Sequence, residues 1–549
     1  MKHRNHWKNT KELVLTTMLA VVLALTACSG GDGGATGNKA IEGSPQGGEE
    51  AAGESGPLTF TFYGHYDWYT MPNWGEDLST KWIKENKQVT VEPVSSGGNA
   101  KQKLSTMIVS GELPDVIWME RGADVEKLRS AGMLVPFDDY LEKYPNLQKW
   151  AGDSTLDMLR SPDGKLYQFP NWYTTQPNGN AGYLVNKKIY NELGAPPLET
   201  TDDLYAYLKQ VKANYPDVVP LEVGQGGAGI EILTTAFGEN YPATFTAIKG
   251  VPSRDQLNSL FTDPVFREGI GFANKLYREG LISQDAFTQK LEQVEQKVRN
   301  GQIAMYVASS PTEYGAIGNA LLSAEDPEAG YIMVWPIHKA GLDKNKIYPG
   351  DYKQQGWNVN VITRSAKDPE AIFAFLDWMT GPEGQRIIMW GPEGLYWDGA
   401  DEEEAPLFTE KFTSDTKGRD ELMNATVNFQ WVGNTVYVDK SKMKFESTLP
   451  PEKQNWESRW QSEITWETQY NTTEFTNLDP AGDSEEGIVA QSVLDIYTKA
   501  LAAAVMNAKS EAEVASMLDK AEADAQKAGY AKLLKYKTER WQENLSKLK

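Results

Sequence analysis

Between Leu58 and Met119 the apolar residues change period four times, which neither an all-helical nor an all-strand fold accommodates. Leu58-Thr59-Phe60-Thr61-Phe62-Tyr63 alternates with period two and is rich in strand formers. Asn73 to Asn86 then carries Trp74, Leu78, Trp82 and Ile83 at helical spacing. Val89 to Val94 reads as a second strand, 100–110 as a helix, and Asp115 to Met119 as a short apolar strand. Strands alternating with helices predict parallel strands joined by helical crossovers, an α/β sheet covered by helices.

The same order recurs downstream. Strands are expected at 181–186, 303–307, 331–334 and 357–362, and helices at 187–193, 201–214, 264–280, 286–300 and 369–379. Beyond Gly381 the chain reads as helical or irregular, and the last 60 residues form two or three amphipathic helices. Trp82 and Trp378 read as core residues, and Gln225 to Gly229 as a mobile loop with cleft lining as the sharper alternative. Two α/β lobes are the simplest architecture for about 490 folded residues.

The only cysteine is Cys28, at the end of Leu25-Thr26-Ala27-Cys28. Lys2, Arg4, Lys8 and Lys11 precede an apolar run from Leu13 to Leu25, too short to span a bilayer but suited to a signal h-region. The tetrapeptide resembles a bacterial lipobox, which implies cleavage after residue 27 and a lipid on Cys28, against the plainer reading of an ordinary secretory signal. Residues 28–56, rich in Gly, Ser and Glu, read as a flexible tether. With one cysteine no internal disulfide can form, so stability rests on burial.

Composition excludes several functions. The formal charge is −22, and removing the four basic and one acidic side chains of residues 1–27 lowers it to −25. No nucleic-acid partner is expected of such a chain. Of four histidines, only His65 and His338 remain behind the leader, leaving little basis for a zinc site or a Ser–His–Asp triad. No phosphate loop or nucleophile elbow occurs. The run Asp401-Glu402-Glu403-Glu404 reads as a solvated loop rather than a calcium site, and Asp163-Gly164 as a hairpin turn. No metal, cofactor or catalytic residue is assigned.

Aromatic residues are more telling. Of 17 Trp and 25 Tyr, several cluster where strands should end, the place where α/β sheets bind ligands. Tyr63, His65, Asp67 and Trp68 follow the first strand, and Trp118 and Glu120 close the third. Trp172 and Tyr173 sit at a predicted crossing between lobes; Tyr352 and Trp357 precede the 357–362 strand. Indoles suit the apolar face of a sugar ring, and neighbouring polar side chains suit its hydroxyls. The competing reading of each ring is simple core filling.

Four segments together resemble the family 1 extracellular solute-binding proteins of bacterial ABC importers, especially the long oligosaccharide lipoproteins of Gram-positive bacteria. They are Gly111-Glu112-Leu113-Pro114-Asp115-Val116, Phe272 to Ile282, Gly301 to Ser309, and Ala371 to Arg386. The resemblance covers about residues 57–400 and implies a type II periplasmic-binding-protein fold, two lobes with an interlobe ligand cleft. The expected division is lobe 1 at 57–170 and 329–380, and lobe 2 at 171–328 and 381–549 with the C-terminal helices. Hinges are expected near 168–175, 325–330 and 380–385. The implied function is capture of a carbohydrate by a lipid-anchored monomer that delivers it to permease subunits without catalysis. A peptide-binding lipoprotein and a surface glycosidase are the alternatives.

Overall fold

The computed structural model describes residues 56–450, 453–482 and 484–548. The leader, Cys28 and nearly all of the tether lie outside the described residues. Nine strands build two main sheets: β1 (Leu58–Gly64), β2 (Val89–Val94), β3 (Val116–Glu120), β4 (Phe169–Asn171), β5 (Gly182–Asn186), β6 (Val219–Glu222), β7 (Ile303–Ala308), β8 (Tyr331–Val334) and β9 (Asn358–Ile362). The first sheet has the order β2-β1-β3-β9-β4, the second β8-β5-β7-β6. β1 runs parallel to β2 and β3, as the period changes require, and β9 returns antiparallel between β3 and β4. In the second sheet β7 is parallel to β6 and antiparallel to β5, while β8 lies antiparallel on β5.

Local chemistry sets the element ends. The first helix starts at Leu78 rather than Asn73, because the Asp77 carboxylate accepts from the amides of Ser79 and Thr80 and caps it there. The helix Ala100–Ser110 stops at Gly111, whose φ of 72° is left-handed. In the Gly-Glu-Leu-Pro-Asp-Val segment, the Asp115 carboxylate accepts from both the amide and the hydroxyl of Thr61, each at 2.7 Å. That aspartate is structural.

Each sheet has its own core. Phe60, Phe62, Ile117, Val361 and Phe373 fill the first lobe; Tyr183, Leu221, Ile270, Met305 and Leu518 fill the second. Two expected boundaries are corrected. Tyr331–Val334 belongs to the second lobe, since it pairs with β5, so the return crossing follows Val334 and not residue 328. Residues 381–446 belong to the first lobe, not the second: Ile387, Trp390, Trp431 and Tyr437 share its core. Accordingly, 325–330 precedes a second-lobe strand and 380–385 is a helix corner inside the first lobe; neither is a crossing. At that corner a Cβ on Gly384 would lie 2.4 Å from the Met379 Cα, so only glycine lets the two helices meet. The chain crosses between sheets at 172–181 and 335–357, and crosses back after the helix Thr435–Glu446.

The C-terminal helices Glu485–Asn507, Glu511–Lys527 and Tyr530–Lys547 complete the second lobe. The first is long and apolar enough to cross a membrane, yet Val493, Leu501 and Ala504 are buried in the lobe core. Buried Asn274 fixes its end by donating to the carbonyls of Ala504, Val505 and Ala508. Two smaller expectations also change, while the acidic run is an exposed loop as expected. Residues 225–229 form a helical turn with Gly227 and Gly229 buried under the sheet edge, not a loose loop. Trp82 and Trp378 are only half-buried, stacked on each other with Lys87 over both rings. The acidic run is ion-paired, with Asp401 and Glu403 on Lys444 and Glu404 on Lys149.

Where the chain crosses back, Asp439 of the first lobe is surrounded by protein, and its carboxyl is pushed up to about 6. Burial is the main cause, with Lys442 opposing and Glu457 of the next helix adding to it. The folded state then keeps a proton that the unfolded chain sheds, so Asp439 lowers stability above pH 6, and the penalty fades as pH falls from 6 towards 4. Asp439→Asn should therefore raise the thermal midpoint at pH 7–8, by a stability gain of at most about 3 kcal/mol, and give no gain at pH 4. Melting curves at the two pH values check this; an equal gain at both contradicts it.

Candidate ligand-binding cleft

Parallel pairing places the ends of β1 and β3 side by side, with Gly64 opposite Trp118 and the His65 amide donating to the Trp118 carbonyl. The residues that follow form an aromatic wall around Trp118. Ring centroids of Tyr66, Tyr69, Trp357 and Trp68 lie 4.8, 5.1, 5.7 and 6.0 Å from it, with Tyr66, Tyr69, Trp68 and Trp357 packed edge-on. Trp118 is buried, whereas Trp68 is 62% exposed and Trp357 42% exposed, so these two indoles are the wall's open faces. Behind them Trp431 Nε1 donates to Tyr69 Oη, which donates to the Asn428 carbonyl. Several buried polar atoms at this sheet end lack partners among the described residues: Tyr66 Oη, Trp118 Nε1, Gln355 Nε2 and both amide atoms of Asn358. Such groups are costly, about 1–3 kcal/mol each, and their concentration here marks a site rather than an optimised core.

Beside the wall lies a cavity of about 450 Å³ between the lobes. Glu120, Arg121, Trp172, Tyr352, Lys353 and Trp357 line it from the first sheet and the crossings. Ala247, Ile248 and the stretch from Phe475 to Asp479 line it from the second lobe. Arg121 is committed: its Nη1 donates to the carbonyls of Gln355 at 2.8 Å and Gly356 at 2.5 Å, and burial pulls the guanidinium down to about 10. Burial raises the Glu120 carboxyl, opposed by Arg121 and Lys353, and lowers the Lys353 amine, opposed by Asp351. The protein mass around the cleft works to raise Asp479 even though its side chain faces the open space, but Lys537 at 2.8 Å, with Lys353 and Lys249, holds its carboxyl below the usual range. Asp351 ties a crossing to the second lobe, accepting from the hydroxyls of Thr244 and Thr472. The cleft thus offers the indoles of Trp172 and Trp357 with Glu120 and Lys353 from the first sheet and the crossings, facing Asp479 from the second lobe.

The expected site residues divide. Glu120, Trp172, Tyr352 and Trp357 line the cavity, and Trp68 and Trp118 belong to the wall. Tyr63 and Tyr173 do not reach it: both are fully buried, Tyr63 donating to the Ala100 carbonyl and Tyr173 sharing a hydrogen bond with Thr380. At 172–173 the strand β4 has already ended at Asn171, and the left-handed turn at Trp172 separates the two side chains. Trp172 is held in a left-handed conformation, φ 56°, with its amide donating to the Gly433 carbonyl and its indole laid over Gly433, where a Cβ would collide. Asp67 caps the helix Ala100–Ser110 by accepting from the Ala100 amide, and His65 pairs with Asp124 at 3.6 Å. Neither lines the cavity. Lys353, Asp479 and the other second-lobe residues escaped the sequence reading; the only signal for the last was the turn-forming Asn477-Leu478-Asp479-Pro480 before a long helix.

Two sheets with separate cores, repeated crossings and a lined cleft define a two-lobed solute-binding architecture. The bacterial extracellular solute-binding protein family matches residues 70–386, and the chain belongs to that family. It is 27% identical over 234 residues to the fructooligosaccharide ABC transporter substrate-binding protein FusA of Streptococcus pneumoniae, covering 39% of this chain and 42% of that protein. It is 24% identical over 330 residues to the lipoprotein LipO of Bacillus subtilis, covering 58% and 62%. The matched stretch is thus less than two thirds of either relative's length. Among solved structures, FusA in complex with kestose gives a TM-score of 0.65 at 18% identity, covering 89% of this chain and 99% of that one. The alginate-binding protein AlgQ2 without calcium ion gives 0.65 at 18%, covering 90% and 100%. These likenesses show the fold.

The division between wall and core is measurable without a ligand. Tyr173→Ala should cost about 3–5 kcal/mol of stability, whereas Trp357→Ala should cost about 1 kcal/mol or less, because its indole is already half in water. Denaturant unfolding of both variants checks this, and comparable losses would place Trp357 in the core.

Proposed function

We propose that this protein captures an oligosaccharide outside the cell and delivers it to the permease subunits of an ABC importer. The observation that carries the reading is the pairing of the indoles Trp172 and Trp357 with the polar groups of Glu120, Lys353 and Asp479 around one interlobe cavity, with the exposed Trp68 on the wall beside it. A sugar ring lays its C–H face on an indole while its hydroxyls take up the carboxylates and the amine, and each buried hydroxyl needs a partner. The carbohydrate ligands named for FusA and AlgQ2 support it. The protein acts by binding, as a monomer, and a lipid on Cys28 after loss of residues 1–27 holds it to the outer face of the cell membrane. The tether keeps it concentrated near the permease. Ligand closes the lobes about the crossings.

A thermal-shift screen of the soluble body against kestose, maltotriose, mannotriose, an alginate trisaccharide and a peptide set tests this, since a ligand that binds only the folded form raises the midpoint. At least one sugar should stabilise the protein and emerge chemically unchanged. Stabilisation by peptides alone would overturn the carbohydrate reading, and hydrolysis of a sugar the claim of binding without catalysis. With the sugar so found, Trp172→Ala should weaken binding by about 1–3 kcal/mol, measured by calorimetry. Small-angle scattering should show a smaller radius of gyration at saturating sugar; no contraction would contradict closure.

A further inference from the structure

We propose that the last helix, Tyr530–Lys547, sets the ligand-facing surface of the second lobe, with Lys537 and Asn544 as positioning residues for Asp479. The proposal deepens the carbohydrate reading and rests on it for the ligand's nature. Lys537, Trp541 and Asn544 stand at i, i+4 and i+7, one face of that helix. All three hold cavity-lining backbone or rings. Asn544 Nδ2 donates to the carbonyls of Glu474 at 2.9 Å and Thr476 at 2.7 Å. Trp541 stacks on Phe475 at 5.6 Å with 19° between planes. Lys537 Nζ donates to the Ile248 carbonyl at 2.9 Å and to Asp479 Oδ1 at 2.8 Å. One helix face therefore fixes both second-lobe segments of the cleft.

The placement of charge is the strongest sign that this is more than packing. Lys537 is 3% exposed, whereas the Asp479 side chain is 73% exposed. Burying an ammonium is expensive, and an apolar residue would fill the space at lower cost. What the ammonium adds is a fixed carboxylate: Oδ1 is engaged from behind, and Oδ2 has no partner among the described residues and is free to accept from a ligand hydroxyl. Asn477, between the two anchors, sits in the left-handed region at φ 57°, a conformation asparagine readily takes, and puts a tight bend in the cleft-facing turn. This helix lies wholly outside the stretch matched by the family, 70–386.

A double-mutant cycle with two readouts tests the proposal. In the first, hydrogen exchange of the ligand-free protein is compared for wild type, Lys537→Met and Asn544→Ala. Amides at 475–479 should exchange faster in either variant while those of β1 and β3 are unchanged. In the second, the sugar found in the screen is titrated into Lys537→Met, Asp479→Asn and the double variant. Each single variant should weaken binding by about tenfold, and Lys537→Met should add less than about twofold once Asp479 is already Asn, because residues acting through one another are not additive. If Lys537→Met does not fold, Asn544→Ala carries both readouts, with the same coupling to Asp479→Asn. Unchanged exchange and affinity in a folded variant, or full additivity with Asp479→Asn, would overturn the proposal. If no sugar binds wild type, the carbohydrate reading falls, and the exchange measurement decides the anchoring by itself.

Discussion

The Asp115 carboxylate, clamped on the amide and hydroxyl of Thr61, holds β1 and β3 in register just ahead of the point where their side chains matter. A slip by one residue would turn every side chain of the strand to the other face. With the register fixed, Gly64 falls opposite Trp118, the next amide bonds the Trp118 carbonyl, and the segment through Tyr69 must fold back over that indole. β9 then pairs antiparallel with β3 and brings Trp357 to the same spot from the other side. The aromatic wall is thus a consequence of strand register, made by three segments far apart in sequence.

The two lobes contribute different chemistry. The first supplies rings packed edge to edge on a sheet end, which lose little entropy on binding because they are already constrained. The second supplies polar groups on irregular backbone, which need outside anchors to hold position, and the last helix provides them. Between the lobes, Asp351 and Tyr352 lie on a crossing that pairs with the strand Gln469–Asn471, so the crossing is part of the second lobe's cleft edge as much as a linker. A cleft assembled in this way is complete only with the lobes together, which is the geometry on which the proposed closure on ligand rests.

Much of this was legible in the residues. Period changes located seven of the nine strands of the two sheets, missing the short Phe169–Asn171 and Val219–Glu222, and strand-end aromatics pointed to Trp68, Trp118, Trp172 and Trp357. What failed had definite causes. Tyr331–Val334 reads as a strand, but nothing in a short apolar run says which sheet it joins. Gly381-Pro382-Glu383-Gly384 ends one helix and starts the next as its residues indicate, but nothing in it says that both helices stay in the first lobe, so 380–385 is a corner and not a hinge. Tyr63 and Tyr173 stand at strand ends like the rings of the wall, and only tertiary packing, against Ala100 and Thr380, makes them core. Lys353 and Asp479 are single charges in segments with no period at all, and only tertiary structure brings them to face the same cavity.

The central claim is that one ligand touches both lobes, rings from the first and anchored polar groups from the second. A crystal structure with a bound oligosaccharide tests it most directly. The account predicts a sugar ring within about 4 Å of the Trp357 or Trp172 indole, and a hydroxyl of the same molecule within hydrogen-bond distance of Asp479. A sugar bound outside this cleft, or held by one lobe alone, would contradict it.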